Sequence, residues 1–116
     1  MEEGVQFATL TDIIYKTWAD KTAKEYKHFK GLKKENLRDN MTNTELVLNM
    51  LAELSTKRIS ETTNPDSFDE HSQVAKKGGE IARNARLELE AKTGEKVISP
   101  LNAKKGFLKN KNKEIN

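Results

Sequence analysis

Apolar residues recur at intervals of three and four along most of the chain, which is the spacing of one face of a helix. The clearest stripe of this kind consists of Val47, Met50, Leu51 and Leu54. It follows a capping-box sequence from Thr42 to Glu45, which is typical of a helix start. We expect a long, core-facing helix over residues 43–61, stopped by Pro65, because proline disfavours helical geometry in the residue before it.

A second long helix is predicted over residues 68–92, between a capping box at Ser67 to Glu70 and a C-terminal cap at Gly94. Its expected buried face consists of Val74, Gly78, Ile81, Ala82, Ala85 and Leu89. Gly78 and Gly79 each cost about 1 kcal/mol relative to alanine in a helix, which indicates that another helix approaches closely there. The predicted helix-packing and self-association positions are Gly78, Gly79, Ala82 and Ala85.

The two glycines are expected to behave differently. Gly78 shares the apolar face, whereas Gly79 lies about 100° further round the helix, nearer a basic edge. We therefore expect leucine at Gly78 to overpack a helix contact. Alanine at Gly79 is expected to be tolerated unless a partner comes close there.

Short helices are expected beside the two long ones. The first is marked by apolar residues at helical spacing, with Thr9 or Thr11 as its N-cap; these residues are Leu10, Ile13, Ile14 and Trp18. The second covers about residues 23–30 and ends at Gly31, with Tyr26 and Phe29 expected to share a core-facing side. A further turn around Leu37 and a last helix over about 100–108, after Ser99-Pro100, complete the pattern.

These elements predict an all-α fold, a small irregular helical bundle with two longer helices and short flanking helices. We expect one domain over residues 1–108, followed by a polar, lysine-rich tail at 109–116. Only 34% of the residues are hydrophobic and 34% are charged, so the core must be thin.

Targeting signals are missing from the sequence. It has no cysteine, no apolar run long enough to span a membrane, and no signal-peptide pattern at its start. We therefore expect a cytoplasmic protein with no membrane partner.

Positive charge is concentrated in two segments, although the net charge is only +3. Residues 24–38 contain six lysines and arginines, and residues 104–113 contain five lysines and no acid. The first segment could contact nucleic-acid phosphates, bind an acidic protein, or simply form a solvated face. Its binding candidates are Lys30, Lys33, Lys34 and Arg38.

A second basic cluster lies on the predicted helix 68–92. Lys76, Arg83 and Arg86 fall within about 80° of one another, and Leu87 lies among them, as at some contact surfaces. The binding candidates on this helix are Lys76, Lys77, Arg83 and Arg86.

Catalytic or metal-binding spacing is not found in the sequence. His28 and His71 occur alone, without any HExxH or paired-histidine spacing. The acidic residues that could be imagined as acid–base pairs are expected to be solvated; they are Glu45, Glu53, Glu61, Glu88 and Glu90. We expect a non-enzymatic binding protein without metal or cofactor.

Two blocks of the sequence carry a family resemblance, namely residues 30–53, KGLKKENLRDNMTNTELVLNMLAE, and residues 75–99, AKKGGEIARNARLELEAKTGEKVIS. With the lead-in at residues 7–18, they resemble the C-terminal region of BRO-family phage antirepressors and DNA-damage-inducible protein D. The resemblance implies a helical module that normally follows an N-terminal BRO domain, which this sequence does not match. The chain would then be an excised C-terminal module or a truncated relative.

The resemblance implies binding roles and no catalytic residue. Antirepressors of this family are thought to contact a phage repressor, and the damage-inducible member is associated with recombinase filaments on single-stranded DNA. The leading hypothesis is therefore a protein-interaction module of a prophage or DNA-damage regulator that forms homo-oligomers. The alternative is direct binding of single- or double-stranded DNA through residues 24–38, which would modulate recombinase filaments or transcription.

Overall fold

The computed structural model describes residues 3–103, and within this range the fold is all-α, as predicted. Its four α-helices are α1 (Glu3–Ala19), α2 (Ala23–Phe29), α3 (Asn43–Thr63) and α4 (Phe68–Thr93). A 3-10 turn at Arg38–Asn40 precedes α3, near the turn expected around Leu37. The lysine-rich tail at 109–116 lies outside the described residues.

Local sequence signals determine where α2, α3 and α4 begin. Each is preceded by a capping box in which a hydroxyl oxygen accepts a bond from the backbone N–H three residues on, while the glutamate there accepts one in return. The three N-cap residues are Thr22, Thr42 and Ser67. Gly94 ends α4 with a left-handed φ of 75°, which glycine adopts without steric cost.

The start of α1 differs from the prediction. The helix is already formed at Glu3, so Thr9 and Thr11 lie inside it and neither is an N-cap. The Thr11 hydroxyl instead donates to the carbonyl of Phe7, one turn earlier, at 3.0 Å. A threonine hydroxyl that donates to a carbonyl one turn earlier can lie inside a helix without ending it. The spacing of apolar residues does not distinguish such a threonine from an N-cap.

The three long helices form a bundle with α4 at its centre. Thr56 of α3 lies against Gly78 of α4, and Val47 borders the same surface depression as Leu89, so α3 and α4 are antiparallel. On its other side, α4 contacts α1, where Thr17 lies against Gly79. The small α2, the 3-10 turn and residues 97–103 pack around the end where α3 begins and α4 finishes.

Both glycines of α4 are covered by neighbouring helices. A Cβ atom on Gly78 would lie 2.7 Å from the backbone nitrogen and 2.8 Å from the Cα of Thr56, which supports the expected close approach. At Gly79 the exception stated for alanine applies, because a Cβ atom there would lie 2.7 Å from the Cβ of Thr17 on α1. Ala82 is fully buried as well, so this small-residue face packs α4 against other helices of the same chain.

Residues 97–103, the C-terminal strap, cross the end of the bundle without forming a helix. The structure shows no helix starting at Pro100, and the rest of the segment predicted at 100–108 lies outside the described residues. The Ser99 hydroxyl accepts the N–H of Leu101 at 3.1 Å, which forms a tight turn instead of a helical N-cap. Longer-range bonds hold the strap, as described below.

Candidate functional site

The side of α3 that faces the core is not the one predicted. The stripe expected to face the core points largely to solvent, with Val47 63%, Met50 51% and Leu54 58% exposed, while Leu51 is half-buried. The face that is buried carries Glu45, Leu48, Asn49 and Ala52. Polar residues can occupy this inner face because they are hydrogen-bonded there. Of the apolar stripe, only Leu51 packs against the core, and Val47, Met50 and Leu54 remain exposed.

Helix α4 extends the exposed stripe. Ile81 is 43% and Leu89 is 38% exposed, although both were expected to be buried. Val47 and Leu89 border one depression, and the contact between Thr56 and Gly78 sets the antiparallel register that brings Ile81 to the level of Leu54. We call this surface the outer apolar face; it consists of Val47, Met50, Leu54, Ile81 and Leu89.

The predicted basic candidates separate into exposed and enclosed residues. Those that are exposed are Lys33, Lys34, Lys76 and Lys77. Arg38 is exposed too, but its guanidinium is bound to both carboxylate oxygens of Glu53 at 2.7 and 3.0 Å. Lys30 and Arg86 are buried, and their charged groups are held inside the protein.

Lys30 is one half of a buried ion pair. Its ammonium donates to Glu45 Oε1 at 2.7 Å and to the carbonyls of Ser99 and Leu101, each at 2.8 Å, so all three of its N–H groups are used. Both side chains of the pair have no exposed surface. Burial lowers the pKa of Lys30, and the Glu45 carboxylate opposes that shift.

Glu45 is equally well satisfied, and its role differs from the solvated one expected. Oε1 also accepts the N–H of Thr42 at 2.9 Å, which closes the capping box of α3. Oε2 accepts the Tyr26 hydroxyl and the N–H of Ser99. Burial and the adjacent carboxylate raise the pKa of Tyr26, so its hydroxyl remains a donor. The Glu45 carboxylate thus connects the start of α3 with α2 and the strap.

Arg86 and Arg83 bind the end of α1. Asp20, with a φ of 63°, accepts Arg86 Nη2 at 2.9 Å and Arg83 Nη1 at 2.7 Å. Arg86 Nε also donates to the Trp18 carbonyl at 2.7 Å. Slight burial raises the pKa of Asp20, but the two arginines outweigh it and hold that pKa below its usual value. We therefore assign Arg83 and Arg86 to joining α1 with α4, and only Lys76 and Lys77 of this cluster stay in the binding set.

The outward side of α2 is basic. Lys24, Lys27 and His28 lie within about 100° of one another, opposite the buried Tyr26. Lys33 and Lys34 follow in the next loop, where Glu35 Oε1 accepts both of their backbone N–H groups at 2.8 and 3.1 Å. Phe29 does not share the burial of Tyr26; it is 41% exposed, and the Lys21 ammonium lies 4.5 Å from its ring centre.

Other classes of site are not evident in residues 3–103. No group of three or more histidine, aspartate or glutamate side chains is clustered there as for a metal ion. None of the helices in that range is long and apolar enough to cross a membrane. Comparison with family models, curated proteins and solved structures gives no match.

Proposed function

We propose that this chain is a non-enzymatic, cytoplasmic protein-interaction module that self-associates through its outer apolar face. The observation that carries the proposal is the position of the strongest apolar stripe in the sequence, which faces solvent. Clusters of large exposed apolar side chains on two adjoining helices are typical of protein interfaces, since water contact with them is unfavourable. The face extends along both α3 and α4, which gives a helical partner a continuous surface to pack against.

A second copy of the chain fits this face better than an unrelated helix. Lys77 and Glu88 lie on the same side of α4 as Ile81, eleven residues apart. If two copies meet about a twofold axis with their α4 helices antiparallel, Lys77 of one copy comes near Glu88 of the other. Ile81 lies between these charges, close to the level of the twofold axis, and would then pack near Ile81 of the other copy.

The resemblance supports a regulatory setting for this module. The blocks at residues 30–53 and 75–99 cover the first half of α3 and most of α4, and they contain every residue of the outer apolar face except Leu54. We propose that the chain serves a regulator of the prophage antirepressor or DNA-damage-response class. A phage repressor or a recombinase filament would be the protein partner in such a setting.

Sedimentation across a range of concentrations tests self-association. The wild-type mass should rise from 13.2 kDa towards twice that value. Leu54→Glu should stay monomeric, because a carboxylate in the centre of an apolar interface loses its hydration. The matched control is Leu87→Glu, which alters a similarly exposed leucine about 120° away from Ile81 on α4 and should associate like wild type.

Two results would contradict the proposal. One is a wild-type protein that remains monomeric at every concentration. The other is equal disruption by Leu54→Glu and Leu87→Glu, which would mean that added negative charge, and not the outer apolar face, controls association.

The second candidate function is nucleic-acid binding, favoured by the basic outward side of α2 and the loop after it. Lys24, Lys33 and Lys34 are exposed, and Lys27 is half-buried. Lysines grouped in this way neutralise phosphates and release counterions, so binding would weaken steeply with salt. This surface consists of other residues than the outer apolar face, so one protein can carry both functions.

A further inference from the structure

Side chains of the bundle bind five main-chain groups of the C-terminal strap. The N–H groups of Val97, Ser99 and Ala103 donate to side-chain oxygens at 2.9, 3.1 and 3.0 Å. The carbonyls of Ser99 and Leu101 accept the Lys30 ammonium, each at 2.8 Å. The oxygens that accept the three N–H groups belong, in that order, to Glu90, Glu45 and Asn40. The bundle therefore recognises the strap mainly by its main chain.

The side chains of the strap make fewer contacts with the bundle. Val97 and Asn102 are buried, and Ile98 packs against the core. Asn102 Nδ2 donates to the carbonyl of Lys30 at 2.8 Å. Pro100, which has no N–H to donate, is exposed. A short segment with an apolar residue at its first position and an asparagine at its sixth meets these requirements.

The groups that bind the strap are positioned by the helices of the bundle. Lys30 is the C-cap residue of α2, and Glu90 lies in the last turn of α4. Glu45 is held by the capping box of α3, where it accepts the N–H of Thr42 at 2.9 Å. Lys30 and Glu45 also bind each other at 2.7 Å, and both side chains are shielded from water. Such charged groups form stronger hydrogen bonds with peptide groups than neutral ones do.

The strap is connected to α4 by three exposed residues, Gly94, Glu95 and Lys96. None of the side chains that bind the strap belongs to this linker or to the strap itself. The site and the segment that occupies it are thus separate parts of one chain.

We infer that this end of the bundle is a binding site for a short, non-helical peptide, and that the strap is its ligand within the same chain. Main-chain hydrogen bonds provide the affinity, and the positions of Val97 and Asn102 provide the specificity, as in other peptide-binding proteins. A separate peptide with the sequence of the strap should therefore bind in its place. The inference goes beyond the proposed function and does not rest on self-association.

A full-length chain that is cut once beside the strap provides the test. A recognition sequence for a specific protease is inserted between Glu95 and Lys96, which are exposed, and both parts of the chain stay in the sample after cleavage. A peptide of residues 96–103 is then added, with a fluorophore on the Lys96 side chain and an amide at its C-terminus. Fluorescence anisotropy measures peptide binding, and circular dichroism measures whether the helices remain formed.

The cut chain should remain helical and bind the peptide in a saturable manner. The matched control is the same inserted chain left uncut, in which the tethered strap competes at an effective concentration on the order of 1 mM. At micromolar peptide, the uncut chain should therefore bind far less of it.

Two ester-containing peptides test recognition of the main chain. Replacing the Ser99 amide by an ester removes the N–H that Glu45 accepts, and binding should weaken by about 10- to 100-fold. The matched control has the ester at Ile98, whose N–H makes none of the bonds described above, and should bind like the unmodified peptide. Asn102→Ala in the peptide should weaken binding by about tenfold, because the buried carbonyl of Lys30 loses its donor.

Three results would overturn the inference. A cut chain that loses its helical signal, or that admits the peptide only after unfolding, would make the strap an integral part of the fold. A folded cut chain that releases its own strap and binds no peptide would mean that no peptide site exists there. Equal weakening by the esters at Ser99 and Ile98 would mean that the bond to Glu45 is not what the site recognises.

Discussion

The two faces of α3 differ in a way that their residue types do not suggest, because large apolar side chains are exposed on one face and polar side chains are buried on the other. Leu48, on the inner face, is 6% exposed, whereas Leu54, on the outer face, is 58% exposed. Glu45 and Asn49, the polar residues of the inner face, are buried and hydrogen-bonded. An amphipathic pattern therefore shows which side of a helix is apolar, but not whether that side packs within its own chain or against another.

The largest expected effect comes from breaking the polar contacts of the inner face. Lys30→Met should lower the free energy of unfolding by about 3–5 kcal/mol, because it leaves the Glu45 carboxylate buried without its counter-ion. Urea unfolding measures this loss. The matched control is Lys34→Met, an exposed lysine in the next loop, which should change stability by no more than about 0.5 kcal/mol.

A double-mutant cycle sharpens this result. Glu45→Gln alone leaves the Lys30 ammonium unpaired, so the double variant should cost less than the sum of the two single ones. Equal stability of Lys30→Met and wild type would mean that the ion pair contributes nothing to the fold.

Identical substitutions on the two faces give the most direct comparison. Leu48→Ala should destabilise the monomer by about 2–5 kcal/mol, since it opens a cavity in the core. Leu54→Ala should cost less than about 0.5 kcal/mol, because the side chain is mostly in water. Unfolding measured at low protein concentration, where association is negligible, separates the two values. Similar losses from both variants would remove the distinction between the faces.

Features with a local cause could be predicted from the sequence. The capping boxes at Thr22, Thr42 and Ser67 are complete within four residues, and Gly94 adopts the left-handed conformation expected of a C-terminal cap. The limits of α3 and α4 and the all-α fold follow from them. Pro65 likewise lies just beyond Asn64, the residue that ends α3.

Features that depend on distant residues could not be predicted. Lys30 lies in a basic run and looks like a surface residue, but two of its acceptors are 69 and 71 residues away in the strap. The basic candidates Arg83 and Arg86 are likewise bound to Asp20, more than 60 residues earlier. The contact between Lys30 and Glu45 lies on the polar side of α3, which is buried, and the apolar stripe on the other side of the helix is exposed.

The glycines of α4 give the smallest expected effect and test how closely the inner faces approach. On helix propensity alone, Gly78→Ala and Gly79→Ala should each stabilise the protein by about 1 kcal/mol. The structure predicts the opposite sign, a net loss of about 1–3 kcal/mol. The loss should be larger at Gly78, where the new Cβ meets the backbone of Thr56, than at Gly79, where it meets the side chain of Thr17.

Thermal melts decide between the two signs, and Asn84→Ala on the exposed side of α4 is the control in which propensity alone acts. In the Gly79→Ala background, Thr17→Gly removes the Cβ that lies 2.7 Å from the new methyl group. The double variant should therefore lose less stability than the sum of its parts, even though the added glycine weakens α1. A melting temperature that rises in Gly79→Ala would show that α1 does not lie against α4 at this point, and that the burial of the two glycines has another cause.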